Sequence, residues 1–272
     1  MTTLTHQFGP YEITILSDGL FEPGTEVVAH LKGAEAREKA VAAWGKPKLA
    51  MDVNCFLMRG PNGITLVDTG AGHNWGPALG KLYPALEALG IRPEDVDQVL
   101  LTHMHGDHAL GLIADGKPWL PRATVYAPEP DFSYFTSAEA KAATPAARRS
   151  GFDITEKVAA LYGERLKVAP LGEVMPGVEL VLLPGHTAGH CGFVVKGEPS
   201  LLISGDVMHL PSLQGEDQEI GTIYDLDPQQ AFETRRAMLE QVARDGWLLA
   251  GGHMRGFEKV TRTGRGFALT VI

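Results

Sequence analysis

Cysteine is nearly absent: two residues in 272, Cys55 and Cys191, each inside a run that reads as a strand. A lone pair so placed, behind a first decapeptide with neither a basic start nor an apolar stretch, is expected as two reduced, buried thiols rather than a disulfide. The same decapeptide gives no expectation of an export signal, and a cytoplasmic setting follows for the chain as given. No window approaches the length of apolar sequence that spans a bilayer. Basic residues are also short, 24 Lys and Arg against 33 Asp and Glu for a net charge of -9. That balance argues against a general nucleic-acid or anionic-membrane binder, because the phosphate term needs clustered cations. The expected partner is a small molecule, with a homodimer allowed. There is no short-period repeat, no low-complexity linker and no Gly-x-Ser-x-Gly elbow of a serine hydrolase.

What is present is an ordinary globular composition, 44% hydrophobic, long enough to bury a sizeable core. Tyr11–Ser17 alternates as a strand ended by Asp18-Gly19, and Leu20-Phe21 opens an apolar loop. Ala34–Trp44 has helical composition. Val53–Met58 and Ile64–Val67 form a hairpin, and Gly76–Leu89 reads as a helix stopped by Gly90. Val99-Leu100-Leu101 and Ala123–Ala127 are further strands, followed by an Ala-, Glu- and Lys-rich helical stretch from Pro128 to Gly163. From Val178 the pattern returns to β: Val178–Leu183, Cys191–Val195, Leu201–Ser204 and Trp247–Ala250, with an amphipathic helix at Pro228–Arg244 capped by Asp227. Strands then helices, twice over, predict two similar halves facing each other in one domain, residues 1–272.

The densest chemistry lies at Thr102-His103-Met104-His105-Gly106-Asp107-His108, four potential metal ligands within six positions after an apolar run. If the strand continues through it, alternation puts His103 and His105 on one side, and Gly106 lets Asp107 and His108 turn back toward the same point. Three imidazoles and a carboxylate brought together without a metal would repel on protonation and leave ring nitrogens unpaired. A dication removes that cost. Three more polar residues each follow an apolar strand and a glycine: His186, Asp206 and His253. With the cluster they make five histidines and two aspartates, enough for two metal ions and a bridging carboxylate.

These residues resemble the metallo-β-lactamase superfamily, whose hallmark His-x-His-x-Asp-His stands here as His103, His105, Asp107 and His108. The resemblance runs from Asp68 to His253 and implies an αββα sandwich, an α/β layered fold of two mixed sheets flanked by helices. It implies that His103, His105 and His186 hold one divalent metal, Asp107, His108 and His253 a second, and that Asp206 bridges them. Zinc is the first expectation, with Fe, Mn or Co compatible with mixed nitrogen and oxygen ligands. Asp68 matches a residue that orients the ligands, and His190 and His209 are candidates for the same supporting role.

Departures within the superfamily narrow the chemistry. Flavodiiron members carry Glu where His105 stands, true β-lactamases commonly lack an Asp at the position of Asp206, and nuclease members need an inserted domain or basic exosite. The sequence looks most like the branch of N-acyl-homoserine lactonases and methyl-parathion-type organophosphate hydrolases. Many such lactonases have a Tyr shortly after the bridging Asp, where this chain has Val207-Met208-His209; Tyr224 is the candidate replacement. Phe21, Met208, Leu210 and Tyr224 are the candidate substrate pocket. The expected reaction is hydrolysis of a lactone or carboxylic ester, or of a phosphotriester, by a water whose pKa two metals lower, with Asp206 or Asp107 passing a proton to the leaving alkoxide. The alternatives are an iron-dependent persulfide dioxygenase and a non-catalytic metal-binding protein.

Overall fold

The computed structural model, which describes residues 4–272, arranges the chain as two seven-stranded sheets packed face to face. The first takes its strands in chain order: Leu4–Phe8, Tyr11–Phe21, Met51–Gly60, Gly63–Val67, Gln98–Leu100, Thr124–Pro128 and Leu166–Ala169. Its first four are joined antiparallel and the later ones parallel. The second sheet does the same with Gly172–Met175, Val178–Leu182, Cys191–Val195, Leu201–Ile203, Leu248–Ala250, Glu258–Arg262 and Phe267–Val271. Here one pair is parallel, Leu201–Ile203 with Leu248–Ala250, and the helix Pro228–Asp245 makes the crossover between them.

The period-two rule for strand side chains sets the layers. In Met51–Gly60, Phe56 and Met58 point at the other sheet, whereas Cys55 and Leu57 point at the helices. In the second sheet Phe193, Val195, Leu201 and Ile203 meet the first sheet, and Val194 and Leu202 meet Met238, Leu239 and Val242 of the crossover helix. Each of those helical side chains is fully buried, which stabilises the layer by roughly 1.5–3 kcal/mol apiece. Helices Leu82–Ala88 and Ser150–Tyr162 cover the outer face of the first sheet. The layering is the αββα sandwich. Cys55 and Cys191 are buried and unpaired, and among the described residues no helix is long and apolar enough to cross a membrane.

Local expectations differ from the structure in four places. The second strand does not stop at Ser17: it runs through Asp18-Gly19 to Phe21 with a register shift between Ser17 and Gly19. A Cβ on Gly19 would lie 2.1 Å from the Ala78 carbonyl oxygen, so the loop at Ala78 presses on the strand there. The helix expected over Gly76–Leu89 shrinks to Leu82–Ala88, because Gly76 and Gly80 take positive φ and the chain reaches its first turn only where Asp18 accepts the Leu82 N–H. The strand before the histidine cluster ends at Leu100, so strand alternation does not orient His103 and His105. The edge strands Leu166–Ala169 and Gly172–Met175 and the hairpin Glu258–Arg262 with Phe267–Val271 carried no expectation.

Candidate metal centre

The His103–His108 loop leaves the strand Gln98–Leu100 and ends in a single helical turn, Gly106–Ala109. Because the loop has no ladder of its own, side chains must hold it. Asp68 does most of this. Its backbone at the end of Gly63–Val67 takes φ 57°, a left-handed conformation that aspartate tolerates at a cost. Its buried carboxylate accepts the Thr102 N–H at 2.8 Å, the Thr102 hydroxyl at 2.8 Å and His108 Nδ1–H at 2.7 Å. Thr69 adds two bonds, N–H and hydroxyl, to the His108 carbonyl. From the helical side, Asp131 accepts the Met104 N–H at 2.8 Å and the Thr187 hydroxyl, tying this loop to the one that carries His186.

The second half delivers its ligands from strand ends packed too tightly for a side chain. A Cβ on Gly185 (φ 127°) would sit 2.2 Å from the Ala231 nitrogen, so only glycine lets His186 pass over the start of the crossover helix. The Asp206 N–H donates to His190 Nε2 at 2.9 Å, and His190 Nδ1–H donates to the Leu183 carbonyl at 2.9 Å. Burial holds His190 at about 3, so it is neutral and anchors the backbone that presents Asp206. His253 donates Nδ1–H to the Asp52 carbonyl at 2.6 Å, and Asn54 donates to the carbonyls of Gly251 and Met254, locking that turn to the first sheet.

These bonds fix tautomers, and the tautomers decide what the centre can hold. Four histidines commit their Nδ1–H outward: His103 to the Thr102 hydroxyl (3.0 Å), His108 to Asp68, His186 to Asp225 (3.1 Å) and His253 to the Asp52 carbonyl. Each therefore presents an Nε2 lone pair inward. What they meet is an acceptor, the Asp206 carboxylate: Oδ2 lies 3.1 Å from His253 Nε2, 3.5 Å from His186 Nε2 and 3.9 Å from His103 Nε2, and Oδ1 lies 3.1 Å from His108 Nε2. Asp107 Oδ2 adds further negative charge 3.6 Å from His253 Nε2 and 3.8 Å from His108 Nε2. His103 Nε2, His108 Nε2 and Asp206 Oδ1 are buried without an aligned hydrogen bond. Ring nitrogens and carboxylates converging in this way are costly unless protons or a cation stand among them.

The donor atoms group accordingly, within 4.8 Å of one another: His103, His105 and His186 on one side, and Asp107, His108, Asp206 and His253 on the other. His105 joins through Nδ1, 2.9 Å from His186 Nε2. Nitrogen and carboxylate donors in such sets suit a borderline dication. The protein's own charges point the same way. Burial would keep His253 neutral, but Asp206 and Asp107 pull it up to about 9, and His108 is raised by Asp206 and Asp68 against the same penalty. Burial and the neighbouring imidazoles push His103 and His105 well below the usual histidine range. Asp206 is itself held far below the usual carboxylate range, burial notwithstanding, by His108 and His253. Metal ions would replace the protons this field draws in.

The centre lies at the floor of a cavity of about 470 Å³ whose lining is mostly apolar. His105, Asp107, His186, Asp206, His209 and His253 reach it from below, and Phe21 and Tyr224 stand on its wall. Met208 and Leu210 do not line it, contrary to expectation. The chain turns away after Asp206, burying Met208 under the crossover helix and Leu210 among Val27, Val28 and Leu49. His209 turns back, with Nε2 3.4 Å from Asp206 Oδ2 and its ring parallel to that of His253 at 5.0 Å. Asp225, Asp131 and Asn54 were not foreseen. None follows the strand-plus-glycine pattern, and each becomes legible only when the loops are seen side by side.

The Metallo-beta-lactamase superfamily sequence model matches residues 50–253. A probable metallo-hydrolase of Mycobacterium tuberculosis is 29% identical over 200 residues, covering 61% of this chain and 60% of the relative, so the match spans less than two thirds of that protein. An N-acyl homoserine lactonase of Bacillus cereus is 25% identical over 224 residues, 75% of this chain and 82% of that one. Among solved structures, the hydrolase AbOPH of the beta lactamase superfamily superposes with a TM-score of 0.89 at 26% identity, over 99% of this chain and 97% of the other. With the matched segment containing both donor groups and Asp206, the chain belongs to the metallo-beta-lactamase superfamily.

Proposed function

We propose that this protein is a two-metal hydrolase of a lactone or carboxylic ester that carries an apolar arm. The observation that carries the reading is the inward convergence of Nε2 lone pairs on both sides of Asp206 at the floor of a mostly apolar cavity. His103, His105 and His186 would hold one ion, Asp107, His108 and His253 the other, with Asp206 between them. Two bound dications, zinc by first preference, would supply Lewis acidity and a water acidic enough to ionise near neutral pH.

The chain's own residues do the rest. Asp68, Thr102, Asp225 and the Asp52 carbonyl hold the imidazoles in the ligating tautomer, so little reorganisation is left for turnover. Asp107 is the half-buried carboxylate on the cavity side and is placed to take up the proton that the attacking water gives up and to pass it to the departing alkoxide, with Asp206 as the buried alternative. Phe21, Phe135 and Tyr224 exclude water around the reacting bond and accept an acyl or aromatic arm. The lactonase name of the Bacillus cereus relative favours the lactone among ester-like substrates. Two buried, unpaired thiols suit a reducing compartment such as the cytoplasm.

The test is a panel of lactones, aryl esters and phosphotriesters presented to zinc-loaded protein. Turnover of lactones or aryl esters that stops when the metal is chelated supports the reading. Turnover of phosphotriesters alone would move the substrate class, and oxidation of a persulfide by protein holding one iron would replace the reaction.

A further inference from the structure

The loop Ile220–Leu226 walls the cavity and also holds a candidate metal-binding histidine from outside the centre, by a side chain. Ile223, Tyr224 and Leu226 face the cavity, and Ile223 and Leu226 remain well exposed at its rim. Between them Asp225 turns inward, 2% exposed, and accepts His186 Nδ1–H. Backbone bonds fasten the two segments further, from Leu226 N–H to the His186 carbonyl at 3.1 Å and from Asp227 N–H to the Gly185 carbonyl at 2.9 Å.

The loop in turn is held from beneath by Arg235 of the crossover helix. That guanidinium is 1% exposed and donates to the carbonyls of Val207, Gln218 and Ile220, so it grips the segment after Asp206 and the start of the wall together. Its remaining nitrogen, Nη2, lies 3.6 Å from Asp225 Oδ2 without an aligned hydrogen bond. The Nδ1–H bonds of His103 and His108 end on Thr102 and Asp68, away from the cavity, and that of His253 ends on a backbone carbonyl, that of Asp52 next to Met51, rather than on a side chain of the wall.

We propose that Asp225 is a positioning residue that couples the cavity wall to one metal position only: the wall loop fixes His186 in its ligating tautomer and orientation, so the ion at His103, His105 and His186 is retained by the wall, while the ion at Asp107, His108 and His253 is not. The inference rests on the metal-centre reading, but not on which ester is cleaved. The Nδ1–H bond leaves Nε2 as the free donor, and losing such an outer partner weakens metal binding about 10–100-fold.

The experiment is zinc titration of metal-free protein against a chromophoric chelator, for wild type, Asp225→Ala and Asp225→Asn. The expected result is that Asp225→Ala weakens one zinc equivalent about 10–100-fold and leaves the other within about threefold of wild type. Asparagine keeps an oxygen that accepts Nδ1–H, so Asp225→Asn should restore most of that affinity. Equal weakening of both equivalents, no weakening, or asparagine no better than alanine would overturn the proposal. A measurement on zinc-loaded wild type stands apart from folding of the variants. Long-range nitrogen–proton NMR should show His186 as the Nδ1–H tautomer with a slowly exchanging ring proton, and an Nε2–H tautomer would overturn the assignment. Because both readouts are binding and spectroscopy, they hold even if no lactone or ester is turned over; that outcome would fall on the proposed reaction alone.

Discussion

The two halves of the proposed metal centre are buttressed differently. In the first half one carboxylate serves two candidate ligands: Asp68 holds His108 directly and His103 through the Thr102 hydroxyl. In the second half each ligand has its own support, Asp225 for His186, the Asp52 carbonyl for His253, and His190 for the backbone of Asp206. The first half is local, its four ligands within six residues of one another, so a single anchor at the neighbouring strand end can reach the whole loop. The second half gathers its ligands from three separate strand ends, so each needs an anchor from whatever element lies beside it. Damage to the first half should therefore spread, and damage to the second should stay confined.

The largest effect should come from Asp206, the exception in the second half, because it lies between the two donor groups. Among the described residues Asp206 is the only carboxylate in contact with candidate ligands of both groups, and Asp206→Ala is expected to bring hydrolysis to background and to lose tight binding of both zinc equivalents, measured by chelator competition. Next is Asp68→Ala, which releases His103 and His108 together. Both equivalents should weaken about 10–100-fold, one ligand being lost from each group. Weakening of a single equivalent would show that the first half is not held at one point.

Asp131→Asn tests the tie between the halves. Its carboxylate accepts from the Met104 N–H and the Thr187 hydroxyl, and an amide can accept only through one oxygen. The expected loss is about 1–3 kcal/mol of stability by thermal melting at neutral pH. Burial pushes the Asp131 carboxyl up to about 6, with the hydrogen bonds from Thr187 and Met104 opposing it. Raised above its unfolded value, the group binds its proton more tightly in the folded chain. Its contribution to stability is then present at low pH and is lost as pH climbs from about 4 through about 6. Asp131→Asn should flatten that part of the stability profile. The smallest effect is expected at the wall: Phe21→Ala should raise KM for substrates with long apolar arms by about tenfold, with little change for short ones.

How much of this was legible in the chain follows the same division. The local half could be read directly, because four donors packed into one loop have no comfortable reading without a metal. The distant ligands could be found by their shared setting, a glycine after an apolar strand, and the structure explains that setting: at Gly185, Gly205 and Gly252 a Cβ would meet the Ala231 nitrogen, His190 Nε2 or Asp206 Oδ1 at 2.2–2.6 Å. The two facing halves could be read from the order of elements, strands then helices twice over, and the αββα layering from the family resemblance. The supports were not legible, since Asp131, Asp225 and Asn54 matter only through neighbours far along the chain. The pocket was half legible. Phe21 and Tyr224 reach the cavity, whereas Met208 and Leu210, chosen for proximity in sequence to Asp206, are buried in core clusters.

The central claim is that inward lone pairs on both sides of Asp206 each hold a cation. Anomalous diffraction at the zinc edge from crystals of zinc-loaded protein tests it most directly. The account predicts two peaks per chain, one among His103, His105 and His186 and one among Asp107, His108 and His253, with Asp206 in contact with both; a single peak, or an Asp206 that touches neither, would contradict it.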